Sequence, residues 1–223
     1  MEKRKTLILV IIVSIMLAAC SFLLFYLLRY QNTSANRMQN KYEGDIIAIR
    51  STVDFDADGV DDQTDILDNA IEYVGTRPKY KSVYYASGYP DDEYGVCTDV
   101  VARALLGSGY DLQELVNRDI CEHPEDYDIT KPDANIDFRR VKNLKVFFDH
   151  TAISLTLDPK EIDQWQGGDI VVYEHHVGII SDRRNRDGIP YLIHHSGEYQ
   201  RYYEQDMLEK WPGKIIGHYR ISE

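Results

Sequence analysis

Apolar positions fall into three kinds of pattern along the chain. Between Leu7 and Leu28 nearly every position is apolar and none is charged. A helix of that length rises about 30 Å, the thickness of a bilayer's hydrocarbon core. Further on, the spacing predicts a helix over 64–74, with Ile66, Leu67, Ala70, Ile71 and Val74 on one stripe. A second helix is predicted over 97–106, where Val100, Val101, Ala104 and Leu105 form the apolar face and Gly107 and Gly109 stop it. A short third helix fits 112–117. Residues 123–143 read as irregular, punctuated by Pro124 and Pro132, and 144–148 and 153–157 read as short strands or helix fragments. The pattern then changes. Residues 170–173, 176–181, 191–195 and 215–221 predict strands, with turns at 185–188 and at Pro212-Gly213. Helices first and strands afterwards predict an α+β fold, an antiparallel sheet packed on helices.

Lys3, Arg4 and Lys5 precede the apolar run, so the positive-inside rule keeps residues 1–5 in the cytoplasm and sends the bulk of the chain outside. Residues 6–29 are then a transmembrane helix, 30–50 a polar stalk or membrane-proximal helix, and 51–223 one extracytoplasmic domain. A cleaved signal peptide would have a shorter apolar core. Leu17-Ala18-Ala19-Cys20 also matches a bacterial lipobox, in which Cys20 would carry a lipid. Phe22 to Leu28 stays apolar where a lipoprotein turns polar, which favours the single-pass span in a bacterial cell membrane.

Charge narrows the partners. Residues 1–50 carry seven Lys or Arg against three Asp or Glu, a net +4, so the rest of a chain of net charge −12 carries −16. A domain so acidic is a poor nucleic-acid binder, because phosphate contacts need clustered Lys and Arg. It also stays off anionic headgroups. Of three cysteines, only Cys97 and Cys121 lie beyond the anchor, which excludes a disulfide scaffold or a zinc ribbon; the two could pair with each other.

Cys97 sits where a loop, Tyr94-Gly95-Val96, turns into a helix. A thiol there faces the positive end of the helix dipole and free N–H groups, which favour thiolate and could hold an oxyanion. A small cysteine packing the helix accounts for the same residue. His175-His176 opens one predicted strand and His194-His195 ends the next. Neighbours on a strand face opposite sides, so one of each pair shares a face across the hairpin. A base with a second group orienting it is what a cysteine hydrolase needs; half-exposed strand positions would equally place histidines there. A histidine metal site has no His-Glu-x-x-His support.

Gly168-Asp169-Ile170-Val171-Val172, then His176-Val177-Gly178-Ile179-Ile180, then Ile193-His194-His195 resemble the core of the NlpC-type cell-wall peptidases. Those are small papain-like enzymes with Cys on a helix, His on a strand and a polar third residue on the next strand. A closer resemblance is to domain-of-unknown-function family 1287, bacterial proteins related to that superfamily. It runs through Gly95-Val96-Cys97-Thr98-Asp99, the stretch from Pro132 to Val141, His176 to Ile179, Ser181 to Arg184 and Gly217-His218-Tyr219-Arg220. The resemblance implies a papain-like domain with Cys97 as nucleophile, His176 as base and His194 as the orienting residue, His195 being its alternative. It also points to Tyr85, at the distance upstream of Cys97 where such enzymes carry a tyrosine near the oxyanion. The loop 182–188 is longer than in typical NlpC-type enzymes. Arg139 and Arg140 could grip a substrate carboxylate, or an internal Asp137–Arg bridge could pin the long loop. Asp99 is a lesser candidate.

Asp54, Asp56, Asp58 and Gly59 match positions 1, 3, 5 and 6 of an EF-hand loop; Val60 offers its carbonyl, Asp62 takes position 9 and Asp65 closes position 12. Aspartate in place of the closing glutamate points to weaker coordination, suited to extracellular calcium, with a structural role for Ca2+. A solvated acidic turn capping the next helix is the alternative. Together these features lead to a membrane-anchored cysteine peptidase or amidase acting on peptide or peptidoglycan-like amide bonds. The rival expectation is a non-catalytic, calcium-stabilised binding or scaffolding module of the envelope.

Overall fold

The computed structural model describes residues 2–30 and 33–223, of which 28–30 by their backbone only. Helix α1, Glu2–Tyr30, is long and apolar enough to cross a membrane, and its apolar side chains are exposed along its length. This fits a single-pass anchor.

The remainder is a mixed helix and sheet structure. Helix α2, Asp62–Gly75, begins at Asp61, whose carboxylate accepts the Thr64 N–H at 3.2 Å. Ile66, Leu67, Ala70 and Val74 are its buried stripe, as the spacing requires. Two short parallel strands, β1 (Lys79–Tyr80) and β2 (Tyr94–Gly95), close the Tyr-rich loop and deliver the chain to helix α3, Cys97–Gly107. Gly109, at φ 84°, turns the chain out of α3 in a conformation that favours glycine. Helix α4, Leu112–Glu122, is capped by Asp111 and is longer than the expected 112–117. Residues 144–148 lie inside helix α5, Val141–Thr151, so they form no strand. Their apolar residues are buried at helical spacing, Leu144, Phe147 and Phe148.

Strands β3 (Ile153–Ser154), β4 (Ile170–Tyr173), β5 (His176–Arg184), β6 (Pro190–Ile193), β7 (Glu204–Gln205) and β8 (Ile215–Arg220) form one antiparallel sheet in the order β3-β8-β4-β5-β6-β7. Its two faces do different work. Ile170, Val172, Val177, Ile179, Ile193 and Tyr219 pack with the apolar stripes of α2, α3, α4 and α5. Val171, Tyr173, Ile180 and Leu192 pack on the other face with Trp165, Ile189 and Leu208.

The segment after the anchor is neither stalk nor helix from residue 33 onward. It lies along the sheet. The Ser34 N–H donates to the Arg201 carbonyl at 2.9 Å and the Lys41 N–H to the Arg184 carbonyl at 2.8 Å. Arg37 pairs with Glu204 and Asp182. Gln31 and Asn32, part of the expected linker, lie outside the described residues.

Candidate active site

Helix α3 has no side-chain N-cap. Asp99, in its first turn, instead reaches back to the Val96 N–H at 2.8 Å. Cys97 is the first helical residue and is half-buried. Because α3 packs on the face of β5 that carries Val177, the thiol meets the backbone N–H of Val177 as well as those of Thr98 and Cys97 itself, and all three favour thiolate. Burial opposes them and wins, with Asp99 adding to it, and the thiol is pushed up to about 11. The expected lowered thiol is therefore not the resting state: enclosure costs the anion more than the helix terminus returns.

The two histidine pairs separate. In the β4–β5 ladder, Tyr173 stands opposite His176 and Val172 opposite Val177, so His176 shares its face with Tyr173, and Val177 faces α3. The His176 Nε2 lies 2.8 Å from His194 Nδ1, and His194 Nε2 lies 3.0 Å from Gln205 Oε1. Gln205 Oε1 only accepts, so His194 carries its proton on Nε2 and its Nδ1 accepts from His176 Nε2–H. His176 Nδ1 is left as the free base. Gly178 makes room for this approach: a Cβ there would lie 2.8 Å from the Ile193 carbonyl oxygen and 3.2 Å from His194 Cβ. Trp211 stacks on the His176 ring at 3.9 Å and 18° and meets His194 edge-on at 5.4 Å. His195, the alternative to His194, turns elsewhere. Its ring stands edge-on to Tyr80 and to Tyr203, each at 5.2 Å, and among the described residues its buried Nδ1 has no partner.

Burial and mutual repulsion push His176 down to about 2, and burial pushes His194 and His195 down to about 4. The cluster is neutral at physiological pH. Among the described residues no hydrogen bond joins the Cys97 thiol to His176; the contact between the two elements is the Val177 N–H, one residue along from His176.

Arg139 is not a free substrate clamp. It is buried and binds Asp99 with two nitrogens, at 2.7 and 2.9 Å, while its third donates to the Val83 carbonyl. Asp99 thus anchors the start of α3 to the 132–141 loop. The half-exposed Arg140 makes the bridge to Asp137, at 3.3 Å. Tyr85 donates to Asp92 at 2.7 Å and lies under the Arg139 guanidinium, so it belongs to that support and not to the thiol. The tyrosine beside the thiol is Tyr80, raised by burial and by the Cys97 charge. Tyr80, Gln205 and Trp211 escaped the sequence reading. The pairing of β1 with β2, which sets Tyr80 opposite Gly95, is too short to leave a pattern.

Carboxylate oxygens of Asp54, Asp56 and Asp58 lie within ligating range of one another. The Gly59 N–H donates to Asp54 at 2.9 Å and the Val60 N–H to Asp58 at 2.8 Å, with Ala57 and Gly59 at φ 62° and 97°. Burial raises the Asp65 carboxyl, and the charges of Asp58 and Asp56 add to the shift. Asp62 departs from its expected ligand role. It is buried, accepts the Phe55 N–H at 2.9 Å, and accepts from the hydroxyls of Tyr110 and Ser222. Those donors hold it toward the domain. Cys97 and Cys121 are both free thiols, Cys121 being exposed on α4.

The profile of DUF1287, a domain of unknown function, matches residues 67–221. The chain is 38% identical over 169 residues to the uncharacterized protein YijF of Escherichia coli (strain K12), a match covering 70% of this chain and 80% of that protein. No solved structure matches. The profile takes in Cys97, His176, His194, His195 and the Asp99–Arg139 pair, and on that extent the chain belongs to the DUF1287 family.

Proposed function

We propose that the domain is a papain-like cysteine hydrolase of the NlpC type, held outside the membrane by α1 and cleaving amide bonds in peptide or peptidoglycan-like material. The observation that carries this reading is the chain from Gln205 through His194 to His176, which orients the base and leaves its Nδ1 unprotonated. Such a chain is the orienting device a nucleophile–base pair requires. In this reading the Cys97 thiol, at the N-terminus of α3, attacks the substrate carbonyl and His176 Nδ1 takes its proton, which requires the His176 ring to come round to the α3 side, since in the resting fold it shares the opposite face with Tyr173. The N–H groups around the sulfur stabilise the oxyanion, and His176 protonates the leaving amine. Water then hydrolyses the thioester and returns the thiol. With a thiol near 11 and a neutral imidazole, proton transfer accompanies attack and no ion pair precedes it. Asp54, Asp56 and Asp58, with the Val60 carbonyl and Asp65, would hold Ca2+ in a structural role, offsetting the local negative charge.

One observation favours the rival, a non-catalytic envelope module: the resting thiol has no hydrogen bond to His176. The deciding experiment incubates the full chain in detergent with peptidoglycan sacculi, beside Cys97→Ala and His176→Gln, and identifies soluble fragments by mass spectrometry. Fragments released by the native chain and absent with both variants are expected. Release by Cys97→Ala equal to that of the native chain would sink the cysteine mechanism.

A further inference from the structure

A second cluster lies where α4 and α5 both end. His123 caps the C-terminus of α4, and His150 sits in the last turn of α5. Between them run Asp119 and the turn holding Glu125 and Asp126. The His150 Nδ1 lies 2.7 Å from Asp119 Oδ2, and Asp119 is buried and takes a further hydrogen bond from the Tyr127 hydroxyl. In the neutral ring, Nδ1–H donates to Asp119, so His150 Nε2 is a lone pair. That lone pair faces Asp126 Oδ2 at 3.4 Å without a hydrogen bond between them. Two acceptors facing each other call for a cation between them. His123 stands edge-on to His150 at 5.0 Å, within ligating range of Asp119 and His150 on one side and of Glu125 and Asp126 on the other.

We propose that this cluster is a site for a zinc-class divalent transition ion, with His150 and Asp126 as ligands already at ligand spacing, His123 as a third brought to them by rotation of its half-exposed side chain, and Asp119 as the carboxylate that orients His150. Zinc bonds to His nitrogen and carboxylate oxygen are about 2.0–2.2 Å, so two ligand atoms of a tetrahedral ion stand about 3.4 Å apart. That is the spacing of His150 Nε2 and Asp126 Oδ2. A carboxylate on the other ring nitrogen is the usual device that sets the tautomer of a ligating histidine. The C-termini of two helices add negative potential at the same point. Glu125 or water completes the coordination. Imidazole ligands suit zinc-class ions, whereas the all-oxygen loop at Asp54–Asp58 suits calcium. Bound there, the ion would tie the 123–128 turn to both helices. The site shares no residue with the Cys97 cluster.

The test measures Zn2+ binding to the full chain in detergent, by competition with a chromophoric chelator in excess Ca2+. A Cys97→Ala/Cys121→Ser background removes capture by the two thiols of the domain. One equivalent of Zn2+ is expected. His150→Gln and His123→Gln should each weaken it by at least ~100-fold, and Asp119→Asn by ~10–100-fold. His123 is half-exposed, so its variant reports binding without disturbing the fold; circular dichroism checks this. Absence of a stoichiometric equivalent, or an affinity unchanged in His123→Gln and His150→Gln, would overturn the proposal and leave a proton as the bridging cation.

Discussion

Acidification should destabilise this domain through its buried histidines. Above about pH 6.5 the rings of His176, His194 and His195 are neutral in both folded and unfolded chains, and their contribution to stability is fully present. Below that value the unfolded chain takes up protons. The folded chain refuses them until about pH 4 at His194 and His195 and about pH 2 at His176, because burial penalises the charged ring. Stability therefore falls with falling pH, by about 1.4 kcal/mol per unit for each histidine. At pH 5 the loss is about 2 kcal/mol each, or about 6 kcal/mol for three, an upper figure because the site can relax and admit water. Against a typical total of about 5–15 kcal/mol that is a large fraction. Urea unfolding of the full chain in detergent, followed by circular dichroism at pH 7.5 and pH 5, measures it. His195→Phe keeps the edge-on contacts with Tyr80 and Tyr203 and removes one titrating ring, so its stability should depend less steeply on pH by about a third. The reasoning fails if stability is level between the two pH values, or if His195→Phe retains the native slope.

Two further outcomes follow from the same geometry. A thiol titrating at about 11 instead of ~8.5 holds ~300-fold less thiolate at neutral pH; iodoacetamide should label Cys97 far more slowly than the exposed Cys121, and equal rates by peptide mass mapping would show that burial does not control the sulfur. Arg139→Met should cost ~3–5 kcal/mol by stranding the buried Asp99 carboxylate, and adding Asp99→Asn should recover part of it, whereas additive losses in urea unfolding would mean that the two do not act as a pair.

The legibility of this chain follows the range of its interactions. Helices α2 and α3 were readable because their buried stripes repeat at helical period over several turns. At α5 the sequence leaves both strand and helix open, because Val141 to Phe148 mixes aromatic and β-branched residues that suit a strand, and packing of Leu144, Phe147 and Phe148 against the other helices decides the matter. The 33–50 segment looked like a stalk since its polar residues show no period. It is placed by Arg37 and by backbone bonds to residues distant in sequence. At the site, alternation along a strand limited the pairing to one histidine from each doublet, but only the 2.8 Å approach of the two rings shows that His194 and not His195 is the partner of His176, and the bond to Gln205 sets its tautomer. The high thiol follows from enclosure, which no local motif reports.

The stretches that resemble the family are of two physical sorts. Gly168-Asp169 and Gly217-His218-Tyr219-Arg220 meet at Asp169, which accepts from Arg220 at 2.8 and 2.9 Å, His218 at 3.1 Å and Gln63 at 2.9 Å, with Trp165 stacked on His218 at 3.6 Å. Thr98-Asp99 and the 132–141 stretch meet at the Asp99–Arg139 pair, and Thr98 donates to the Arg139 carbonyl. A fully buried carboxylate is costly without such partners, so these residues hold one another for reasons of folding alone. A protein that had lost all chemistry would still need them. His176 and His194 differ. Three buried imidazoles cost stability on acidification, and an apolar pair under Trp211 would avoid that cost. The hydrolase reading therefore rests on the His176–His194–Gln205 chain and on Cys97 one residue across the strand from it, while the ion-paired stretches speak for the fold.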